Sequence, residues 1–310
     1  MAWKAYDSVI TIRAFDRDSF EEFLHVADRF ARTMGGRDHE LARGRLMATL
    51  FYEPSTRTRL SFESAMLRLG GDVISTENAA RMSSASKGES LKDTVRIVSG
   101  YSDVIVLRHH EEGAARVAAE AALVPVLNAG DGPGEHPSQA LLDAFTIHRR
   151  IGRLDDLSVV LMGDMAYGRT AHSLTLLLST FRGVHITFVA PETARTPVTL
   201  VQELREHGAE VRETADLLST LASCDVLYVT RVQKERFPSE EAYQKAQGQY
   251  TVDGDVLARL HRNAIIMHPL PRLSELPEAV DRDPRAVYFD EARAGVPVRM
   301  ALLARSLGLA

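Results

Sequence analysis

The chain has 310 residues, 45% of them hydrophobic and 25% charged, with a net charge of −5 and a single cysteine. That length exceeds one ordinary compact domain, and two of about 150 residues each is the default. The acidic balance argues against a nucleic-acid binder, and lone Cys224 excludes an internal disulfide or a cysteine-rich metal site and suits a reducing cytoplasm.

The start, "MAWKAYDSVITIRAF", carries Lys4, Asp7 and Arg13 and lacks the apolar run of a signal peptide. No stretch approaches the roughly 18 uncharged apolar residues of a membrane span, so the chain reads as soluble, cytoplasmic and free of membrane contact. A helical pattern over 17–33 precedes the strand-like run "RLMATLFY". Helical patterns over 57–69 and 89–100 then alternate with the strands "DVIS", "DVIVLR" and "VPVLNAG". The pattern breaks at "AGDGPGEHPSQ", with Gly130, Gly132, Pro133 and Gly134, and a helix over 137–150 leads into the second half. There "SVVLMGD", "HITFVAP", "EVRET", "VLYVT" and "AIIMHPL" read as strands, with helices over 169–181 and 198–207 between. Apolar strands alternating with helices predict α/β architecture: two doubly wound parallel-sheet domains joined by helices. Ligands in such folds bind at the carboxyl ends of strands.

Several motifs fall at those ends. "FYEPSTRTRL" places Ser55, Thr56, Arg57, Thr58 and Arg59 where a strand hands over to a helix. Backbone N–H groups, the helix dipole and the guanidinium groups there suit an anion, best a phosphate dianion. The loop is not a Walker motif, because no Gly-Lys-Ser/Thr follows glycines. The competing reading is that Ser55 or Thr56 caps the helix while the arginines pair with surface acids. Arg108 closes "VIVLR", and His136 and Gln139 share one face of a helix start. Imidazole and carboxamide are neutral donors suited to polarising a carbonyl oxygen; a plain helix start with proline at its first position is the alternative.

Arg169 stands at a helix N-terminus, where the dipole prefers an acid, so it signals either an intervening anion or a pair with Asp164. Arg231 and Gln233 follow "VLYVT", two apart and on the same side. "IIMHPLPRL" ends a strand in a proline-rich loop whose carbonyls, such as that of Leu270, are left to accept from a ligand amide. A phosphate-bearing and a carboxylate-bearing substrate fit this inventory. A nucleophile elbow, a GxGxxG turn and a metal-ligand cluster are absent from the sequence.

"FYEPSTRTRLSFESAMLRLGG", "SKGESLKDT", "HPSQALLDAFTI", "GDMAYGRTAHSL", "TRVQKER" and "HPLPR" together resemble, in order and over nearly the whole chain, the catalytic chains of the aspartate carbamoyltransferase family. The resemblance implies a carbamoyl-phosphate domain over 1–135, completed by a returning C-terminal helix at 291–310. It implies an aspartate domain over 136–290, with the active site in the cleft between them. It places Ser55, Thr56, Arg57, Thr58 and Arg108 on carbamoyl phosphate, with His136 and Gln139 at the carbamoyl end and backbone from Leu270 and Pro271. Arg169, Arg231 and Gln233 would hold aspartate. In "SSASKGE", Ser83 and Lys87 would enter the site of a neighbouring subunit in a homotrimer, Lys87 touching aspartate too.

The implied reaction is direct attack of the aspartate amine on the carbamoyl carbon, in the pathway to UMP. Arg57, Thr58, Arg108, His136 and Lys87 would carry it, with no cofactor, metal or covalent intermediate. Two departures stand out: Ala294, where asparagine is usual, is expected to alter a turn before the last helix. Ala166, where lysine is common, is expected to weaken the closed state. They keep open a paralogue with another acceptor such as ornithine; a non-catalytic scaffold homologue is a separate alternative, which would be expected to lose Arg57, Arg108 or His136, and all three are present. Regulatory or dihydroorotase chains as further partners are left open as well.

Overall fold

A computed structural model describes residues 7–33, 40–79, 88–231, 239, 241 and 250–310. The chain divides into two compact units, residues 1–145 with 294–310, and residues 146–293.

In the first unit the chain runs through α1 (Arg17–Thr33), β1 (Leu46–Phe51), α2 (Thr56–Arg68), β2 (Asp72–Glu77), α3 (Leu91–Val98), β3 (Val104–His109), α4 (Ala114–Ala121) and β4 (Val126–Asp131). Helix α1 follows from Phe20, Phe23, Leu24, Ala27 and Phe30, a helical stripe that is buried. Asp16 and Ser19 start it by exchanging side-chain and backbone hydrogen bonds. The four strands are parallel, in the order β2-β1-β3-β4. Alternation splits the two faces of the sheet: Ala48, Leu50, Ile105 and Leu107 pack with Val95 of α3 and Ala118 of α4.

Helix α5 (Pro137–Ile151) begins in the first unit and ends in the second. The second unit contains β5 (Ser158–Met162), α6 (Arg169–Leu178), β6 (His185–Val189), α7 (Val198–Glu206), β7 (Glu210–Thr214), β8 (Val226–Val229), α8 (Gly254–Arg259) and β9 (Ile265–Met267). Its strands are also all parallel, ordered β7-β6-β5-β8-β9. Leu227, Val229, Ile266 and Tyr288 anchor one core, which also takes in Cys224. Burial pushes that thiol up to about 12, so it behaves as a small apolar side chain.

Helix α9 (Tyr288–Ser306) carries the chain back to the first unit. This corrects the expectation of a turn at Ala294. The helix already runs from Tyr288, three residues before the expected start, and Ala294 and Gly295 lie inside it. Pro297 is accommodated within the same helix.

Each sheet reverses its direction of winding once. The first does so between β1 and β3, the second between β5 and β8, and those are the places where such sheets open a crevice for ligands. Gly163, directly after β5, has φ +117, and a Cβ there would overlap the Thr230 carbonyl oxygen at the end of β8. Gly163→Ala is therefore expected to remove about 1–3 kcal/mol of stability, through strain and backbone displacement. Urea unfolding should show a lower midpoint at unchanged slope; an unmoved midpoint would mean that the β5–β8 approach is not tight.

Candidate active site

In the first unit, parallel register sets Arg108 of β3 opposite Phe51, the last residue of β1. The segment that follows β1 therefore begins beside Arg108, and the Tyr52 N–H donates to the Arg108 carbonyl at 2.8 Å. Ser55 is the N-cap of α2, extended at φ −160, but its hydroxyl makes no cap hydrogen bond and the first turn contains no acid. A helix N-terminus with neither a side-chain cap nor a compensating carboxylate retains its attraction for an anion. The capping alternative is thus not realised at Ser55. Arg59 does pair with acids, at 2.9 Å from Glu77 and near Glu63, as that alternative required. Arg57 and Thr56 are exposed on the first turn, whereas Thr58 is buried.

Arg108 is buried, donates from Nη1 to the Ala129 carbonyl at 3.1 Å, and lies 3.1 Å from Glu53 through Nη2. Its orientation is thus set by β4 and by the residue before Pro54. Next in sequence, His109 is pressed between Tyr52, 4.7 Å away, and His110, 4.4 Å away. Burial first, and then His110, lowers its pKa, so at neutral pH it adds packing rather than charge beside Arg108.

The turn after β4 is held by its own polar side chains. Asp131 accepts from the backbone N–H groups of Gly113 and Glu135 and from the Asn128 carboxamide. Glu135 in turn accepts from Thr11, Ile12 and Arg13. Gly132, at φ +53, passes so close to the His110 carbonyl that a Cβ would lie 2.6 Å from its oxygen. This framework delivers buried His136 to the start of α5, where its carbonyl accepts from the Gln139 and Ala140 N–H groups. Its ring Nδ1 is 3.4 Å from the Ser138 hydroxyl.

Gln139 is oriented by a neighbour on its own helix. Its Nε2 donates to Asp143 at 2.8 Å, so the carboxamide directs its oxygen, an acceptor, away from that partner. A carboxyl oxygen accepts there, which is why the donor end of the carboxamide faces Asp143. One of the two Nε2 hydrogens is thus committed to Asp143.

In the second unit, the ends of β5, β8 and β9 are adjacent. After β5 the chain makes a compact turn in which Asp164 accepts from the Tyr167 N–H and its own N–H donates to Thr230 Oγ1. At Gly168 a side chain would overlap the Asp164 carbonyl. Gly168 caps α6 without a side-chain hydrogen bond, no acid occupies the first turn, and Arg169 is buried there. Arg231 follows β8 and is half-buried. Ala166 lies within the turn between β5 and α6.

The loop after β9 is held from several directions. The Leu270 N–H donates to His268 Nδ1 at 2.8 Å, leaving the ring proton on Nε2, 3.0 Å from Glu275. Burial raises the Glu275 pKa, but hydrogen bonds from His268 and the Leu273 N–H outweigh it and hold the carboxyl below its usual value. Leu270 takes φ +53, a sparsely populated conformation for a residue with a Cβ, and such conformations persist only where surroundings impose them. Arg272 completes the clamp by forking onto Asp281, which also accepts from the Tyr288 hydroxyl. Leu270 and Pro271 are thereby presented on a rigid backbone.

Of the sequence-derived candidates, Ser55, Thr56, Arg57, Thr58, Arg108, His136 and Gln139 belong to the first unit. Arg169, Arg231, Leu270 and Pro271 belong to the second. Ser83, Lys87 and Gln233 lie outside the described residues. Sequence reasoning missed Glu53, Asp131, Glu135, Asp143 and His268 as supports. Glu53 and His268 flank motif prolines, a local signal, but the others act through tertiary contacts.

Uncapped, acid-free helix N-termini and buried arginines at the switch point of each sheet define an α/β enzyme for small anionic substrates. Residues 7–149 match the family described as aspartate/ornithine carbamoyltransferase, carbamoyl-P binding domain, and residues 155–306 match the corresponding Asp/Orn binding domain. The aspartate carbamoyltransferase catalytic subunit of Thermococcus onnurineus is 53% identical, covering 100% of this chain and 99% of its own. A chloroplastic aspartate carbamoyltransferase of Pisum sativum is 53% identical over 96% of this chain and 78% of its own. Among solved structures, the catalytic subunit of M. jannaschii aspartate transcarbamoylase superposes with a TM-score of 0.87 at 45% identity, covering 97% of both chains. The Trypanosoma cruzi enzyme with carbamoyl phosphate and aspartate gives 0.92 at 40% identity over 96% of both. The chain belongs to the aspartate/ornithine carbamoyltransferase family and is a carbamoyltransferase.

The Arg272–Asp281 clamp predicts a pH dependence. The hydrogen bond from Arg272, followed by that from Tyr288, lowers the Asp281 pKa to about 2. Unfolded, the carboxyl titrates near about 3.9, so its contribution to stability is present above that pH and lost as pH falls toward about 2. Asp281→Asn is expected to be less stable than wild type at pH 6, with the gap narrowing between about pH 4 and 2. Urea midpoints measured across that range check this; a gap independent of pH would mean the carboxylate is not the stabilising form.

Proposed function

We propose that the chain transfers the carbamoyl group of carbamoyl phosphate to the α-amine of L-aspartate, giving N-carbamoyl-L-aspartate and phosphate, a step toward UMP. The reading of the acceptor rests on one observation above all: Arg169 opens α6, the helix that follows β5, and Arg231 follows β8, the strand beside β5. Two guanidinium groups suit a dicarboxylate, whereas the side-chain ammonium of ornithine would call for an acid.

In the proposed mechanism Ser55, Thr56, Arg57, Thr58 and Arg108 bind the phosphate, and the α2 dipole draws charge onto it. The aspartate nitrogen attacks the carbonyl carbon, forming the C–N bond. Thr58, Arg108 and His136 then stabilise the tetrahedral oxyanion as the C–O bond to phosphate breaks. The amine proton goes to the departing phosphate. The Gln139 oxygen and the carbonyls of Leu270 and Pro271 would accept from the carbamoyl N–H groups. Arg169, Arg231 and Gln233 would hold the aspartate carboxylates. Donors placed in advance where charge develops supply most of such a rate enhancement. The Glu53 carboxylate beside Arg108 supports this reading, since it shows that the guanidinium accepts an anionic partner.

The assembly we propose is a ring of three chains, with Ser83 and Lys87 reaching a neighbour's site; sequence resemblance supports it. We place the chain in the cytoplasm, where a lone buried thiol stays reduced. Among the described residues no helix is long and apolar enough to cross a membrane.

Carbamoylation assays with aspartate, ornithine and putrescine should show aspartate as the preferred acceptor; preference for an amine lacking two carboxylates would overturn this reading. Arg108→Ala is expected to cut turnover by about a hundredfold or more, the loss typical of one preorganised donor. Turnover within about threefold of wild type would remove Arg108 from the mechanism. Mixing and reassembling inactive Lys87→Ala and Arg57→Ala chains should restore activity through interfaces that combine two intact halves. Mixed trimers as inactive as the parents would refute shared sites.

A further inference from the structure

His136, which the proposed mechanism sets at the carbamoyl carbonyl, follows directly after an acid, Glu135. A free carboxylate there would repel both the substrate phosphate and the oxyanion that develops beside the imidazole. It would also be drawn onto the backbone N–H groups at the start of α5, whose first turn contains no acid of its own. The chain instead commits this carboxylate to three consecutive residues more than 120 positions earlier. Oε1 accepts from the Thr11 hydroxyl at 2.7 Å and from Arg13 Nη1 at 2.5 Å, and Oε2 accepts from the Ile12 N–H at 2.6 Å. Three of the roughly four acceptor positions of a carboxylate are thus taken.

The donors are anchored by contacts of their own. Val9 pairs in parallel with Leu127 of β4; its N–H donates to the Val126 carbonyl at 2.9 Å, and its carbonyl accepts from the Asn128 N–H at 2.8 Å. Ser8 Oγ accepts from the Val126 N–H, and the Ile10 carbonyl accepts from the Asn128 carboxamide. Val9, Ile12 and Phe15 are buried, and Thr11 caps the 3-10 helix Ile12–Ala14 by accepting from the Arg13 N–H. Residues 8–15 therefore form a strap along β4 that reaches Glu135. Stability does not account for the ion pair that completes it: the Arg13 side chain is 45% exposed, and pairs open to solvent contribute little. What the pair decides is where a negative charge stands.

We propose that Thr11 and Arg13 are positioning residues for carbamoyl transfer, which hold the Glu135 carboxylate on the N-terminal strap and keep its charge off the start of α5 and the anionic substrate. This inference deepens the proposed function and rests on it. The consequence is specific to charge. Losing the strap's donors harms the reaction only while residue 135 carries a carboxylate, because a neutral side chain released in the same place repels no anion. A strap that merely shaped the turn before α5 would matter equally with either side chain.

A mutant cycle separates the two roles. Thr11→Val with Arg13→Met removes two of the three donors, and this pair of substitutions is made both in wild type and in Glu135→Gln. The measurement is kcat/KM for carbamoyl phosphate at saturating aspartate. In the wild-type background the pair is expected to lower kcat/KM about tenfold. In the Glu135→Gln background it should change kcat/KM by less than about twofold, whatever Glu135→Gln costs by itself. An equal loss on both backgrounds overturns the proposal, because the strap would then act on shape and not on charge. An unchanged kcat/KM in the wild-type background overturns it as well. Should the paired substitution fail to fold, Arg13→Met alone, at a partly exposed position, runs the same cycle, with an expected loss of about fivefold beside Glu135 and less than about twofold beside Gln. If wild type does not carbamoylate aspartate, the proposed function itself falls, an outcome distinct from any variant result.

Discussion

Parallel pairing is the constraint on which this molecule depends. When every strand of a sheet runs the same way, all carboxyl ends lie along one edge, and every following helix presents its N-terminus there. Crossovers that wind in both directions from the first strand of each unit open that edge at one place: β1/β3 in the first, β5/β8 in the second. Chemistry-bearing residues collect at those places because that is where backbone N–H groups are unpaired and unobstructed. Arg108 beside the start of α2 and Arg169 at the start of α6 are two instances of one arrangement.

Polar burial serves precision at these edges more than it serves stability. The turn after β4 is woven from Asn128, Asp131 and Glu135, each accepting from or donating to backbone that would otherwise lack a partner. The loop after β9 uses His268, Glu275, Arg272 and Asp281 in the same way to impose a positive φ on Leu270. Apolar replacements could fill those volumes, but they could not define where a carbonyl or an imidazole points. Networks of this kind are what allow catalysis by position and charge without a reactive side chain.

The two domain matches span most of the residues of both units, and the Thermococcus onnurineus relative matched over the whole chain is named as an aspartate carbamoyltransferase catalytic subunit. Physical reading and kinship thus meet at the same segments. Kinship supplies the substrates, and the geometry supplies the reasons why an uncapped helix start and a buried arginine belong there.

The sequence by itself determined the secondary structure closely. Apolar alternation and helical stripes are local patterns, so α1 matches the expected 17–33 and β7 the expected 210–214. The strand-end motifs were legible for the same reason: "STRTR" and "GRT" announce a helix start within a few residues. The Ala-rich segment that forms α4 gave no contrast between faces, and the start of α9 lies three residues before the expected 291. Tertiary structure alone decided what the motif residues do. The Gln139 carboxamide is oriented by its hydrogen bond to Asp143, and Glu135 is fixed by Thr11, Ile12 and Arg13, more than 120 residues earlier in sequence. Arg59 and Arg57 are indistinguishable as letters, yet Arg59 turns to Glu77 on the neighbouring strand whereas Arg57 stays on the exposed first turn. Orientation and charge state are set by partners brought close through folding, and distance in space is the one quantity that a local pattern does not contain.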